Sequence, residues 1–175
     1  DVYKRQMYMV GLIDDIYDLR PYLKLAGQIV AALIVTFYGI TIDFISLPIG
    51  PTIHFGIFSI PITVIWIVAI TNAINLIDGL DGLASGVSAL ALMTIGFIAI
   101  LQANIFIIMI CCVLLWSLLG FLFYNFHPAK IFLGDSGALM IGFIIGFLSL
   151  LGFKNITFIA LFFPIAVSYT HLTLP

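Results

Sequence analysis

The chain has 175 residues, of which 63% are hydrophobic and only 8% charged, and its mean hydropathy is +1.29. A soluble domain carries about 25% charged residues, so water cannot be the solvent for this surface. The net charge of −2 comes without a basic patch, which excludes nucleic acid as a partner, and the adjacent Cys111 and Cys112 read as small apolar packing residues, not as a disulfide framework.

The two ends depart from the rest. A DNA sequence encoding residues 1–6 (DVYKRQ), read on its opposite strand, encodes the VSYTH that opens residues 167–175 (VSYTHLTLP). Both tails resemble translated adaptor DNA and are set aside from fold reasoning as a cloning scar would be. Residues 7–166 then form the membrane-embedded core, expected to be an internal fragment truncated at both ends.

Met7 to Ile13 reads as the end of a truncated helix, and Asp14 to Pro21 as a polar loop. Leu23 to Ile42 is long enough to cross about 30 Å of hydrocarbon. Asp43 to Phe55 is a loop broken by Pro48, Gly50 and Pro51. Ile57 to Ile70 is apolar and runs into the polar stretch Thr71 to Gly82. Leu83 to Leu101 spans, Gln102 to Asn104 is a tight joint, and Ile105 to Tyr124 spans back to a polar segment, Asn125 to Asp135. Gly137 to Gly152 spans, Phe153 to Asn155 turns, and Ile156 to Ala166 begins a last helix. The expected fold class is all-α, a polytopic transmembrane helix bundle with about five full spans and partial helices at both ends.

Alternation of the spans places Asp14, Asp15 and Asp18, then Asn72 to Asp81, then Asn125 to Asp135 on one side of the membrane. Six of the seven Asp residues in 7–166 share that face, and only Asp43 lies opposite. Arg20, Lys24 and Lys130 fall on the same side, against Lys154 on the other, so the positive-inside bias makes the acidic face cytoplasmic. The protein is therefore expected as a multi-pass protein of the plasma membrane, with its acidic face in the cytoplasm.

Carboxylates grouped at a membrane surface repel one another unless a cation sits among them. Hard oxygen ligands suit Mg²⁺, which takes one or two carboxylates and leaves its other positions to waters and substrate phosphates; Mn²⁺ is the expected substitute. Asn72, Asn75 and Asp78 recur at i, i+3 and i+6, which on a helix places them along one face, able to present amides and a carboxylate to a sugar or to phosphates. Gly79 and Gly82 free the backbone for a sharp exit and a close ligand approach. Gly134-Asp135-Ser136-Gly137 opens a membrane helix, where free N–H groups favour an anion such as a diphosphate. Asn125, His127, Lys130 and Gly134 complete the candidate substrate-binding set. Taken singly, Asp78, Asp81 and Asp135 are accounted for by helix capping, Arg20 and Lys24 by topology anchoring, and His127 before Pro128 by an interfacial position. Three acidic clusters on one face are not.

The segments GLIDDIYDLRPYLKLAGQIVAA, NAINLIDGLDGLASGVSAL and FLFYNFHPAKIFLGDSGALMIGF resemble the polyprenyl-phosphate N-acetylhexosamine 1-phosphate transferase family, and NAINLIDGLDGLA and YNFHPAKIFLGD resemble its UDP-GlcNAc:undecaprenyl-phosphate branch more than its phospho-N-acetylmuramoyl-pentapeptide branch. The resemblance implies a Mg²⁺-dependent membrane enzyme whose substrates are a UDP-N-acetylhexosamine and polyprenyl (undecaprenyl) phosphate in the lipid bilayer. The lipid phosphate attacks the β-phosphorus and UMP leaves, as a first membrane step of cell-envelope polysaccharide synthesis. A homodimer is compatible with such an enzyme. By motif, Asp14 and Asp15 match the pair that deprotonates or orients the lipid phosphate, Asp135 matches the metal-binding Asp, and Asn75, Asp78 and Asp81 match the segment lining the nucleotide and metal pocket. The resulting catalytic set is Asp14, Asp15, Asp78 and Asp81, with Asp78 and Asp135 on the metal. Ala138 stands where members often carry Ser, and the family's later His-containing loop would lie beyond Ala166, so the fragment by itself is expected to be inactive. Two other classes fit less well: an intramembrane prenyltransferase, echoed by Asp14-Asp15-x-x-Asp18 but poorly served by Asn72 to Gly82, and a transporter, which would place ionisable groups near mid-membrane and not at helix ends.

Overall fold

The computed structural model describes residues 21–46 and 52–152. Five helices follow one another: α1 (Pro21–Phe37), α2 (Ser59–Ile77), α3 (Leu83–Leu101), α4 (Ile105–Asn125) and α5 (Gly134–Gly152). Four stretches, Gly56–Ile77 and the whole of α3, α4 and α5, are long and apolar enough to cross a membrane, and α1 is a shorter apolar helix. The protein is an all-α, multi-pass membrane bundle, as its composition requires. Among the described residues, the one addition to the all-α reading is a small antiparallel hairpin, β1 (Phe44–Ser46) with β2 (Thr52–His54), in the register Phe44↔His54, Ile45↔Ile53 and Ser46↔Thr52. It falls in the segment read as a loop, where β-branched and aromatic residues flank the proline breakers.

Two helix bounds differ from the expected spans by three residues or more, each at a left-handed glycine. α1 stops at Phe37, five residues before Ile42, because the chain turns at Gly39 in the left-handed conformation (φ 81°); beyond the turn the Ile42 amide donates to Thr63 Oγ1 at 2.9 Å and ties the connection to α2. α2 runs on past the apolar stretch to Ile77, so Asn72 and Asn75 stand on the helix face that their spacing predicts. Thr71 Oγ1 donates to the Ile67 carbonyl at 2.7 Å and Asn72 Nδ2 to the Val68 carbonyl at 2.8 Å, so these polar side chains fold back on the preceding turn and do not break the helix. α5 begins at Gly134, three residues early, again from a left-handed glycine (φ 65°). The bounds of α3 agree with the expected span, and α4 runs one residue past it to Asn125.

The helices alternate in direction, so the start of α1, the α2–α3 joint (residues 78–82) and the α4–α5 joint (residues 126–133) lie at one end of the bundle. Side-chain bonds from α1 to α2 and α5, from the α2–α3 joint to the α4–α5 joint, and from α3 to the end of α4 hold this end together. The hairpin, the α3–α4 joint and the end of α5 lie at the opposite end, where Gln102 Nε2 donates to the Gly152 carbonyl at 2.7 Å. Helix α5 is the centre: 67% of its spanning window is buried, against 17% for α4, whose Val113, Trp116 and Phe123 face outward. In a bilayer, lipid is as apolar as leucine and close packing holds helices together. Here α5 meets α2 through Gly142 and Gly146, one turn apart, lying on the backbone of Thr71 and Ile67. Trp66 Nε1 adds a cross-link to Ser149 Oγ at 2.9 Å.

Candidate active site

Two polar groupings occupy the acidic end of the bundle. The first joins α1, α2 and α5. Asp135, in the first turn of α5, is ion-paired to Lys24 of α1 and accepts from Asn75 Nδ2 of α2 at 2.7 Å. Asp78 caps the end of α2, its own amide donating to the Asn75 carbonyl at 3.3 Å. Burial pushes the Asp78 carboxyl up, to about 6; the Gly134 amide, donating to it, opposes that rise, and the neighbouring charge of Asp135 adds to it. The left-handed backbone of Gly134 therefore brings an N–H to one carboxylate while the next residue presents a second. One turn back along α2, Asn72 pairs with Gln28 of α1: Asn72 Nδ2 donates to Gln28 Oε1 at 2.5 Å.

The second grouping joins the two interhelical joints. His127 Nδ1 lies 2.8 Å from Asp81 Oδ2, and the Ala129 amide donates to the same oxygen at 3.2 Å. These two bonds, the Ala129 amide first, hold the exposed Asp81 carboxyl below the usual carboxylate range. Asn125 stands behind the joint, 1% exposed; its Oδ1 accepts from Ser85 Oγ at 2.6 Å and its Nδ2 donates to the Ile131 carbonyl at 2.8 Å. Both of its polar ends are thus spent on shaping the α4–α5 joint. Gly82, in the left-handed conformation (φ 69°), packs on the backbone of Asn125 and Phe126, whereas Gly79 has open space where a side chain would stand. Lys130 is exposed beside His127 and Pro128 at the mouth of a groove of about 530 Å³ lined otherwise by Leu119, Leu122, Phe123 and Phe126.

The structure brings Asn72, Asn75, Asp78, Gly134 and Asp135 together from segments far apart in the chain, and draws Asp81 to His127. Asp14 and Asp15 lie outside the described residues. Two participants carry no functional signature in the sequence: Lys24 reads as a topology anchor, and Gln28 as part of an apolar span. What signal there is lies in their spacing: a Lys and a Gln four residues apart, on one face of an otherwise apolar helix.

Asp78 gives a pH test. Its pKa is higher in the folded protein (about 6) than the ordinary aspartate value of 3.8, so the fold binds the proton more tightly than the unfolded chain does. The resulting stabilisation is complete below the unfolded value and is lost as pH rises through about 6. In detergent with a chelator, wild-type protein should melt at a lower temperature at pH 7 than at pH 5 by a margin that Asp78→Asn removes. Parallel wild-type and variant profiles would show that Asp78 titrates normally.

A sequence model of glycosyl transferase family 4 matches residues 5–153. The chain is 45% identical over 161 residues to a protein of Bacillus subtilis (strain 168) named as a probable undecaprenyl-phosphate N-acetylglucosaminyl 1-phosphate transferase, covering 91% of this chain and 45% of that protein. It is 37% identical over 152 residues to a phospho-N-acetylmuramoyl-pentapeptide-transferase of Streptococcus thermophilus (81% of this chain, 45% of that one). A protein of that same name from Campylobacter jejuni is 33% identical over 177 residues (84% and 50%). The chain spans about half the length of the curated relatives it matches.

Proposed function

This chain belongs to glycosyl transferase family 4, and from that membership we propose that it supplies the catalytic core of a transferase moving N-acetylglucosamine 1-phosphate from UDP-N-acetylglucosamine to a polyprenyl phosphate. One observation carries the reading. Two carboxylates, Asp78 and Asp135, meet at a helix N-terminus together with an amide (Asn75) and an ammonium (Lys24), at the membrane boundary of an apolar bundle. That arrangement suits a substrate pair in which one member is a diphosphate and the other a lipid.

In the proposed reaction an oxygen of the lipid phosphate forms a bond to the β-phosphorus of the UDP-sugar. The bond from that phosphorus to the bridging oxygen breaks, and the electron pair leaves with UMP. The products are UMP and a polyprenyl diphosphate sugar. The lipid phosphate is ionised near pH 7, so positioning and charge neutralisation matter more than a strong base. Lys24 supplies positive charge to the phosphates, the first N–H groups of α5 favour an anion, and Asn75 orients Asp135. Asp78 and Asp135 fit a Mg²⁺: no group of three or more His, Cys, Asp or Glu side chains converges among the described residues, but Mg²⁺ needs only one or two carboxylates, and Asp78 and Asp135 stand close enough to raise one another's proton affinity. Bound there, Mg²⁺ would neutralise charge developing on the diphosphate. The His127–Asp81 pair would border the nucleotide, with the acidic end of the bundle in the cytoplasm, where UDP-sugars are made.

The test is UMP release by membranes carrying the complete protein, given polyprenyl phosphate and UDP-N-acetylglucosamine, with and without Mg²⁺. Release that requires both the lipid and the metal is expected. Release with the UDP-muramoyl-pentapeptide alone would keep the chemistry and move the protein to the other branch. No UMP from any UDP-sugar with a folded protein would sink the transferase reading.

A further inference from the structure

The polar bonds among α1, α2 and α5 close into a circuit. Lys24 and Gln28 stand one turn apart on α1; Asn72 and Asn75 stand one turn apart on α2. Gln28 pairs with Asn72, Asn75 donates to Asp135 of α5, and Asp135 is ion-paired back to Lys24. The relative placement of Lys24, Asn75 and Asp135 is therefore fixed from two directions: by the ion pair itself and by the amide pair one turn deeper.

The two links differ in kind. The ion pair is made by groups that phosphates and a cation would draw on, so substrate and cation would compete with it. The amide pair carries no charge and competes for neither. Gln28 is 1% exposed in an apolar helix, where an unpaired amide is costly. Asn72 answers both of its ends: Oε1 accepts from Asn72 Nδ2 at 2.5 Å and Nε2 donates to Asn72 Oδ1 at 3.4 Å. Asn72 is itself anchored to its own helix through the Val68 carbonyl at 2.8 Å, so a shift of Gln28 is passed to the α2 backbone and on to Asn75.

We infer that Gln28 is a positioning residue for the transfer reaction: its amide pair with Asn72 holds α1 in register with α2, so that Lys24, Asn75 and Asp135 still converge when substrate and cation draw the Lys24–Asp135 pair apart. The inference rests on the transferase reading above. Removing the pair should misplace the charged groups without removing any of them, a change that costs about ten- to a hundredfold in rate.

The experiment measures kcat and KM for UMP release by the complete protein, beside its melting temperature. The variants are Gln28→Met, Gln28→Asn, Asn72→Gln and the exchanged pair Gln28→Asn/Asn72→Gln, each assayed well below its melting point. Gln28→Met should lower kcat about ten- to a hundredfold with KM for the UDP-sugar changed much less. The exchanged pair restores the summed side-chain length and should recover kcat relative to either single exchange. A lowered melting temperature with kcat within twofold of wild type would reduce Gln28 to a packing residue and overturn the inference, as would an exchanged pair no better than its single members. Wild-type protein that releases no UMP would overturn the transferase reading first, and this inference with it.

Discussion

On the proposed transferase reading, Asp135→Asn in the complete protein is expected to abolish UMP release, lowering kcat by about 10³-fold or more, while leaving the fold in place. Removing a single preorganised electrostatic contact of this kind costs about 10²–10³ in kcat, and Asp135 makes three at once. It neutralises Lys24, accepts from Asn75 and raises the proton affinity of Asp78. Asparagine keeps the size and the polar helix start, and its Oδ1 can still accept from Asn75 Nδ2. It loses the charge that holds Lys24 and that a cation would need. Circular dichroism and melting in detergent should therefore match wild type, with kcat lost. Added Mg²⁺ should not restore the rate, because the ligand charge is missing and not merely undersaturated. A variant that kept its rate within threefold would remove Asp135 from the metal and phosphate chemistry altogether.

Much of this site is legible without coordinates, and the illegible part has identifiable causes. Counting spans is enough to put Asp78, Asp81 and Asp135 at one membrane face, because a helix of about 20 residues has one way across a bilayer. The limits of α3 are legible because Gly79, Gly82 and the Gln102–Asn104 joint bracket a clean apolar run. The end of α2 is legible from the i, i+3, i+6 spacing of Asn72, Asn75 and Asp78 and not from hydropathy. Thr71, Asn72 and Asn75 look like a loop when scored by polarity, yet Thr71 and Asn72 return hydrogen bonds to carbonyls of the preceding turn, and Asn72 and Asn75 both meet side chains from other helices. Lys24 was illegible for a related reason. A lysine near a helix end has the same sequence signature whether it reaches for headgroups or for a carboxylate 111 residues away. Asn125 shows the limit from the other side. It sits in a polar motif that points to substrate, but its partner Ser85 lies on a different helix, and only that contact reveals that both ends of the amide are spent inside the protein.

Gly142→Leu is expected to separate α5 from α2 and, with that, to destroy both stability and activity. A Cβ at residue 142 would lie 2.9 Å from Thr71 Cα and 3.1 Å from both the Thr71 carbonyl oxygen and Ile74 Cβ. Two of these three neighbours are backbone, which cannot swing aside as a side chain can, so the helix axes must part. Even Gly142→Ala should cost about 1–3 kcal/mol, the range for overpacking a tight core, and leucine more. The damage reaches the site because the contact is built into the same two helices. Thr71 directly precedes Asn72, and Gly142 lies two turns, about 10 Å, along α5 from Asp135, so parting the helices there stretches the 2.7 Å bond between Asn75 and Asp135. Gly120 is the control. It stands on the outward side of α4 with open space at its Cβ position, and alanine there should be neutral or stabilising by about 0.5–1 kcal/mol, since glycine is the poorer helix former. Melting in detergent and UMP release of the three variants separate the cases. A Gly142→Leu protein that melts with wild type and keeps its rate would mean that α2 and α5 do not pack through this glycine, and the convergence of Asn75 with Asp135 would need another support.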